Sequence, residues 1–237
     1  MASLTKRYGR SLLVSMQRLT EERFLKLLRD CPHLTILDIG CGNGEFTLKV
    51  AKKVGAETTV GIERVLPFAK MASSKGINVI WGDASNTFPF KDEAFDVVVA
   101  NQVIEHVNNT DIFVKEIRRV LKNNCYCVVA TPNLAGLQNI ISLMMGYQPP
   151  TAHVSDEFFA AGNPLNPDHD VVVNHIAHRR IFTARALKEL FEFHGLKCER
   201  ITGFGLHPLP PFISRLVSSS RYSPIIAIKA RKIPTHR

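Results

Sequence analysis

The sequence predicts an α/β fold, a mostly parallel sheet covered by helices on both faces. Three observations carry this: short apolar runs that alternate with amphipathic stretches, a glycine-rich turn directly after the first such run, and acids that recur at the ends of the following runs. With 237 residues the chain can bury a substantial core, and 45% hydrophobic with 22% charged residues lies in the globular range.

The elements follow in order. Thr20 is set to cap a helix through "EERFLKLLRD", whose stripe of Phe24, Leu25, Leu27 and Leu28 stops at Cys31-Pro32. With the basic "TKRYGR" before it, this makes an N-terminal segment over 1–33 ahead of a main domain over 34–237. "TILDI" reads as a first strand, "EFTLKVAKKVG" as a helix stopped by Gly55, and "TTVGIE" as a second strand. "RVLPFAKMASSKG", "INVIWGD" and "AFDVVVAN" continue as helix, strand and strand. "TDIFVKEIRRVLKN" is a helix with Thr110 as its cap, and "CYCVVATPN" a fifth strand. From about 134 to 180 the alternation stops: "AGLQNIISLMMGYQPP" reads as an apolar helix and "AAGNPLNPDHD" as turns, the pattern of an insertion or lid. Thr183 caps "ARALKELFEFHG" with Gly195 as its stop, and "KCERITGFG" and "SPIIAIKARK" are two final strands joined by a proline-bearing connection.

The net charge of +9 favours anionic partners such as RNA or a lipid headgroup, although much of it lies in the terminal segments. Five cysteines with no paired spacing argue against both a disulfide framework and a structural zinc site. No run is long enough to span a membrane and no leader pattern is legible, so a cytoplasmic setting is expected, with peripheral membrane contact through the apolar insertion as an option.

In "LDIGCGNGEF" the glycines Gly40, Gly42 and Gly44 let a ligand approach main-chain N–H groups at a helix start. The third glycine arrives one residue early for the dinucleotide fingerprint, and no Lys-Ser or Lys-Thr follows for a phosphate-binding P-loop. Asp38, Glu63, Asp83 and Asn101 end or follow the first four strands, which puts them on the carboxyl edge where ligands of parallel sheets bind. An acid after the second strand can accept from two ribose hydroxyls, and one after the third from an adenine amino group. A carboxylate beside the loop suits a ligand with an ammonium group.

"ILDIGCGNGE", "VGIE", "WGDA" and "FDVVVANQVIEHV", followed by "EIRRVLKNNCYCVVATPN", resemble the ordered motifs of class I S-adenosylmethionine-dependent methyltransferases over residues 34 to 133. The resemblance implies a Rossmann-like seven-stranded sheet with its last strand antiparallel, and S-adenosylmethionine as cofactor. It implies that Asp38, Gly40, Cys41, Gly42 and Gly44 shape the methionine end, Glu63 with Arg64 the ribose site, Asp83 with Ala84 the adenine site, and Asn101 with Gln102 the methionine flank.

Gln102-x-x-Glu105-His106 resembles the E-x-x-E-H signature of metal-assisted ubiquinone-pathway and small-RNA methyltransferases, and His178 matches the later histidine of the small-RNA enzymes. Glu105, His106 and His178 are therefore the candidate catalytic groups; the competing reading of Glu105 and His106 is the first turn of a helix. Gln102 stands where that signature has a charged ligand, so no metal is expected. His153, His169 and His175 are further candidates for the pocket wall. The segments "TPNLAGLQNIISLMMGYQPP" and "HRRIFTARALKELFEFHGLKCERITGFG" resemble methyltransferases of surface-glycan and small-molecule assembly, which implies a small or glycan-type acceptor hydroxyl. RNA ribose methylation and a non-catalytic cofactor-binding role are the alternatives.

Overall fold

The computed structural model describes residues 17–29, 34–158, 160–164, 177–205 and 219–234. A helix over 17–25, α1, leads into β1 (Leu34–Ile39), α2 (Glu45–Val54), β2 (Ala56–Glu63), α3 (Leu66–Ser74), β3 (Asn78–Trp81) and β4 (Phe95–Asn101). Then come α4 (Thr110–Val120), β5 (Leu121–Pro132), α5 (Leu137–Met144), α6 (Ala184–Phe193), β6 (Leu196–Phe204) and β7 (Ile225–Lys232). The strands form one seven-stranded sheet in the order β3-β2-β1-β4-β5-β7-β6. Only β7 runs antiparallel to its neighbours, as expected for the last strand. The strand order reverses between β1 and β4, and there the carboxyl ends diverge into a crevice.

Side-chain alternation divides the core into two layers. Leu37, Ile39, Val98, Ala100, Cys127 and Val129 face one way and meet Phe113, Ile117, Leu187 and Phe191 of α4 and α6. Ile36, Val97, Val99, Val128 and Ala130 face the other way and meet Phe24, Val50 and Val54 of α1 and α2. This period of two, buried on both sides, is why the strands read as unbroken apolar runs.

Gly55 ends α2 at φ 70 with its N–H on the Ala51 carbonyl, and the Thr183 side chain accepts from Ala186 N, both as expected. Three boundaries differ. The cap of α4 is Asn109, whose side chain accepts from Ile112 N at 3.0 Å, and Thr110 is the first helical residue. Both residue types cap well, and Asn109 is the one with extended backbone. Thr20 lies inside α1 and is buried, because the apolar stripe already includes Leu19. β5 begins at Leu121 rather than Cys125, since Leu121 leaves helical geometry at φ −70, ψ 135 and the chain passes straight into the sheet. No helix among the described residues is long and apolar enough to cross a membrane. The connection at 206–218 and the turn-rich 165–176 lie outside the described residues.

Ile117 is fully buried against the sheet, whereas Ile112, on the same helix, is 37% exposed. Ile117→Ala is expected to cost about 2–5 kcal/mol in urea unfolding, against under about 1 kcal/mol for Ile112→Ala, with the m-value unchanged in both.

Candidate active site

The loop after β1 is fastened to β2 by its own backbone. Gly40 N and Cys41 N both donate to the Ile62 carbonyl, at 2.8 and 3.1 Å. Gly42 N donates to Glu63 Oε2 at 2.9 Å, and Val65 N to Oε1 of the same carboxylate at 2.8 Å. Gly40 has φ 74, and a Cβ there would lie 2.5 Å from Val103 Cγ2; one at Gly42 (φ 54) would meet nothing within 4 Å. The first glycine is demanded by packing, and the second leaves the backbone open on the cavity.

That cavity, of about 280 Å³, is lined by the expected Gly40, Gly42, Glu63, Arg64, Asp83, Ala84, Gln102 and His106. Val65, Phe68, Val103 and Val107 add an apolar wall that the sequence reading missed. Phe68 lies on a helix whose apolar residues read as core, so no sequence signal separated it. Asp83 Oδ1 accepts from Ser85 N at 2.8 Å, and its other oxygen is 4.0 Å from Arg64.

Four expected residues lie behind the wall rather than on it. Asp38 is buried under the loop, where Oδ2 accepts from the Thr47 hydroxyl at 2.7 Å. Burial lifts its carboxyl to about 7; the Thr47 hydrogen bond opposes the rise and the charge of Glu63 adds to it. Cys41 packs beside Gly61, and burial pushes its thiol up to about 12, out of reach of thiolate chemistry. Gly44 packs on Ala72 and Ile77. Asn101 ends β4 with its Oδ1 buried and unpartnered, as is Nε2 of Gln102 next to it. Gln102 itself is held at φ 59, a left-handed backbone uncommon outside glycine. A stranded acceptor next to a stranded donor fits the ammonium and carboxylate of an amino-acid ligand, so the residues fit the methionine end of the implied cofactor.

Next to the cavity the chain gathers a second set of groups. Glu105 and His106 sit in a turn after β4, and α4 begins only at Thr110, so the helix-start reading does not hold. Glu105 is 1% exposed; Oε2 accepts from the Thr131 hydroxyl at 3.0 Å, and its carbonyl accepts from Arg179 N and Arg180 N. Among the described residues Oε1 is buried without a hydrogen-bond partner, 4.0 Å from His106 Nε2. Burial raises the Glu105 carboxyl to about 8 against the opposing pull of its own backbone N–H and the Thr131 hydroxyl.

His106 Nδ1 lies 3.3 Å from the Ala177 carbonyl, and His178 Nδ1 lies 2.9 Å from that of Thr151. A carbonyl only accepts, so both Nδ1 atoms donate there, and each ring when neutral carries its lone pair on Nε2. The rings of His106 and His178 are 5.0 Å apart, and His153 stacks on His178 at 4.6 Å. Burial lowers His178 to about 4; the Thr151 carbonyl opposes this, and His153 and His106 add to it. One ligand atom each from Glu105, His106 and His178 lies within 4.8 Å of the others. A buried orphan carboxylate oxygen and two oriented imidazoles fit a divalent cation, even though Gln102 supplies no charge. His169 and His175 lie outside the described residues.

Residues 37–129 match the methyltransferase domain family. The mitochondrial ubiquinone biosynthesis O-methyltransferase of Rattus norvegicus is 26% identical over 212 residues, which cover 84% of this chain and 54% of the relative. The tRNA (carboxymethyluridine(34)-5-O)-methyltransferase of Arabidopsis thaliana is 28% identical over 55% of this chain and 31% of its own length. The chain thus spans about half, or less, of these curated relatives. Among solved structures, an S-adenosylmethionine-dependent methyltransferase of Thermotoga maritima superposes with a TM-score of 0.66 at 21% identity, over 96% of this chain and 95% of that one. With the strand order and the loop described above, these likenesses give the chain the fold of the class I S-adenosylmethionine-dependent methyltransferases, with residues 37–129 similar to the methyltransferase domain family.

Proposed function

We propose that the chain moves the methyl group of S-adenosylmethionine to a hydroxyl of a small or glycan-type acceptor. The observation that carries this reading is the pair of Nε2 lone pairs, on His106 and His178, beside a cavity that His106 itself lines. The acceptor oxygen attacks the methyl carbon, the carbon–sulfur bond breaks with its electrons to sulfur, and S-adenosylhomocysteine leaves. The hydroxyl proton passes to His106 Nε2, and the imidazolium that forms favours the ionised form of Glu105, whose Oε1 lies 4.0 Å away. His178 accepts a hydrogen bond from the acceptor and fixes its approach. In place of that base, a divalent cation held by Glu105, His106 and His178 would take up the same lone pairs and supply Lewis-acid activation of the hydroxyl.

In this reading Asp83 and Glu63 hold the adenosine part. Asp83→Ala is expected to weaken S-adenosylhomocysteine binding about 10- to 100-fold in calorimetry, the worth of one charge-assisted hydrogen bond. Thermal unfolding should stay unchanged, because the Asp83 side chain is 40% exposed. Unaltered affinity would put the adenine elsewhere.

Binding should also depend on pH through Asp38. In the empty site this group is protonated below about 7, and the cofactor's ammonium favours its ionised form. Affinity for S-adenosylhomocysteine is therefore expected to fall by up to about tenfold per pH unit below that value and to level off above it. Titrations in buffers of different ionisation enthalpy should show about one proton released at pH 6 and almost none at pH 8. Asp38→Asn should flatten both profiles.

An acceptor panel of sugars, phenols and RNA, assayed by S-adenosylhomocysteine release with and without Mn²⁺, tests the transfer. His106→Ala is expected to lower turnover about 100-fold or more while cofactor affinity holds. A salt-steep affinity for RNA, with methylation of its ribose, would favour the RNA reading suggested by the +9 charge. Tight cofactor binding with no transfer to any class would favour the non-catalytic one.

A further inference from the structure

The two edges of the sheet are built differently. β6, at one end of the strand order, exposes Lys197, Glu199 and Arg200, charges that discourage pairing with another strand. β3, at the other end, reads Asn78-Val79-Ile80-Trp81 and carries no charge. Ile80 is 38% exposed and Trp81 65% exposed, and these neighbours point to opposite faces of the strand. The indole N–H of Trp81 donates to the Arg64 carbonyl at 2.9 Å, so the ring is held in place while its surface stays open. Helix α3, which packs on β3, leaves Leu66 and Met71 exposed as well.

The backbone says what shape would cover this edge. β3 pairs with β2 on one side, and Gly82 N, next in the chain, donates to the Glu63 carbonyl on that side. By strand alternation Val79 and Trp81 turn their N–H and C=O groups outward. Main-chain groups that no described residue pairs, set between two apolar faces, are completed by an extended strand, not by a helix or a lipid surface. The charge says whose strand. Arg64, whose carbonyl holds the Trp81 indole, and Lys70 of α3 are exposed, Asp83 sets one carboxylate 4.0 Å from Arg64, and the whole chain carries +9. A second copy paired edge to edge across a two-fold axis would bring these cations against their own image.

We propose that the β3 edge is a docking strand for an acidic partner protein, which adds a strand of its own to the sheet and covers Ile80 and Trp81. Trp81 directly precedes Gly82 on the cofactor cavity wall, so the added strand lies beside the adenine end. The inference rests on the sheet edge and holds whichever acceptor the enzyme uses.

The test begins with a photo-crosslinking amino acid at Ile80 of the full chain in cells that make the protein, with Lys197 on the other edge as control. The expected result is an adduct at Ile80 and not at Lys197, to an acidic protein through one extended peptide. That protein, purified and titrated into the chain, should move the emission of its one tryptophan to shorter wavelength and slow amide exchange at Val79 and Trp81 at least about tenfold. Ile80→Glu should weaken binding about tenfold or more and Ile80→Lys much less, with thermal unfolding unchanged in both. Adducts at Ile80 no more frequent than at Lys197, adducts only to a second copy, or binding that leaves the Val79 and Trp81 amides unprotected would each overturn the proposal.

Discussion

The two hydrogen bonds that Glu63 accepts hold the cofactor side of the molecule together. A glycine loop that leaves its N–H groups open to a ligand must still satisfy the others, and Glu63 takes Gly42 N and Val65 N on its two oxygens. Charge-assisted bonds of this kind are worth about 1.5–3 kcal/mol each, enough to fix a loop that glycine alone would leave loose. The loop belongs mechanically to β2, since Gly40 N and Cys41 N also bond to Ile62. Asp38, through Thr47, ties the same turn to the first turn of α2. Strand, loop and helix thus present one preorganised wall, and in the proposed reading Glu63 keeps lone pairs for a ribose.

The acceptor side is built from parts far apart in sequence. Glu105 comes from the turn after β4 and Thr131 from the end of β5, and the amides on the Glu105 carbonyl belong to Arg179 and Arg180. The carbonyls that set the two histidine tautomers are those of Thr151 and Ala177, both within the insertion. The insertion is in turn fixed to the sheet by buried amides. Asn139 Nδ2 donates to Asn133 O and Thr151 Oγ1, and Asn133 Nδ2 donates to Ser223 O. In the proposed reading the sheet supplies the cofactor wall, and carbonyls of the insertion decide which nitrogen of each imidazole meets the acceptor.

The sheet was legible because burial on both faces leaves runs such as Val97–Ala100 almost wholly apolar, and because Gly55 and Thr183 mark helix ends by mechanisms local to the chain. Thr110 was misread because two good caps stand side by side and only backbone conformation chooses Asn109. Among site residues, Glu63 and Asp83 could be placed by strand ends alone. Asp38 and Cys41 share that edge but fall behind the wall, a difference of depth that a one-dimensional pattern does not carry. The pairing of His106 with His178 followed from a family pattern. The carbonyls that orient them are backbone atoms, which every residue possesses and no sequence distinguishes.

Burial drives Glu105 up to about 8 and His178 down to about 4, so at neutral pH both are uncharged in the empty pocket. Glu105 and His178 therefore form no permanent ion pair with one another. A proton taken by His106 as the acceptor is methylated, or a cation held by Glu105, His106 and His178, would favour the ionised form of Glu105 and be stabilised by it in return. The orphan oxygen of Glu105, costly in a resting protein, is what makes that response available at the site of transfer.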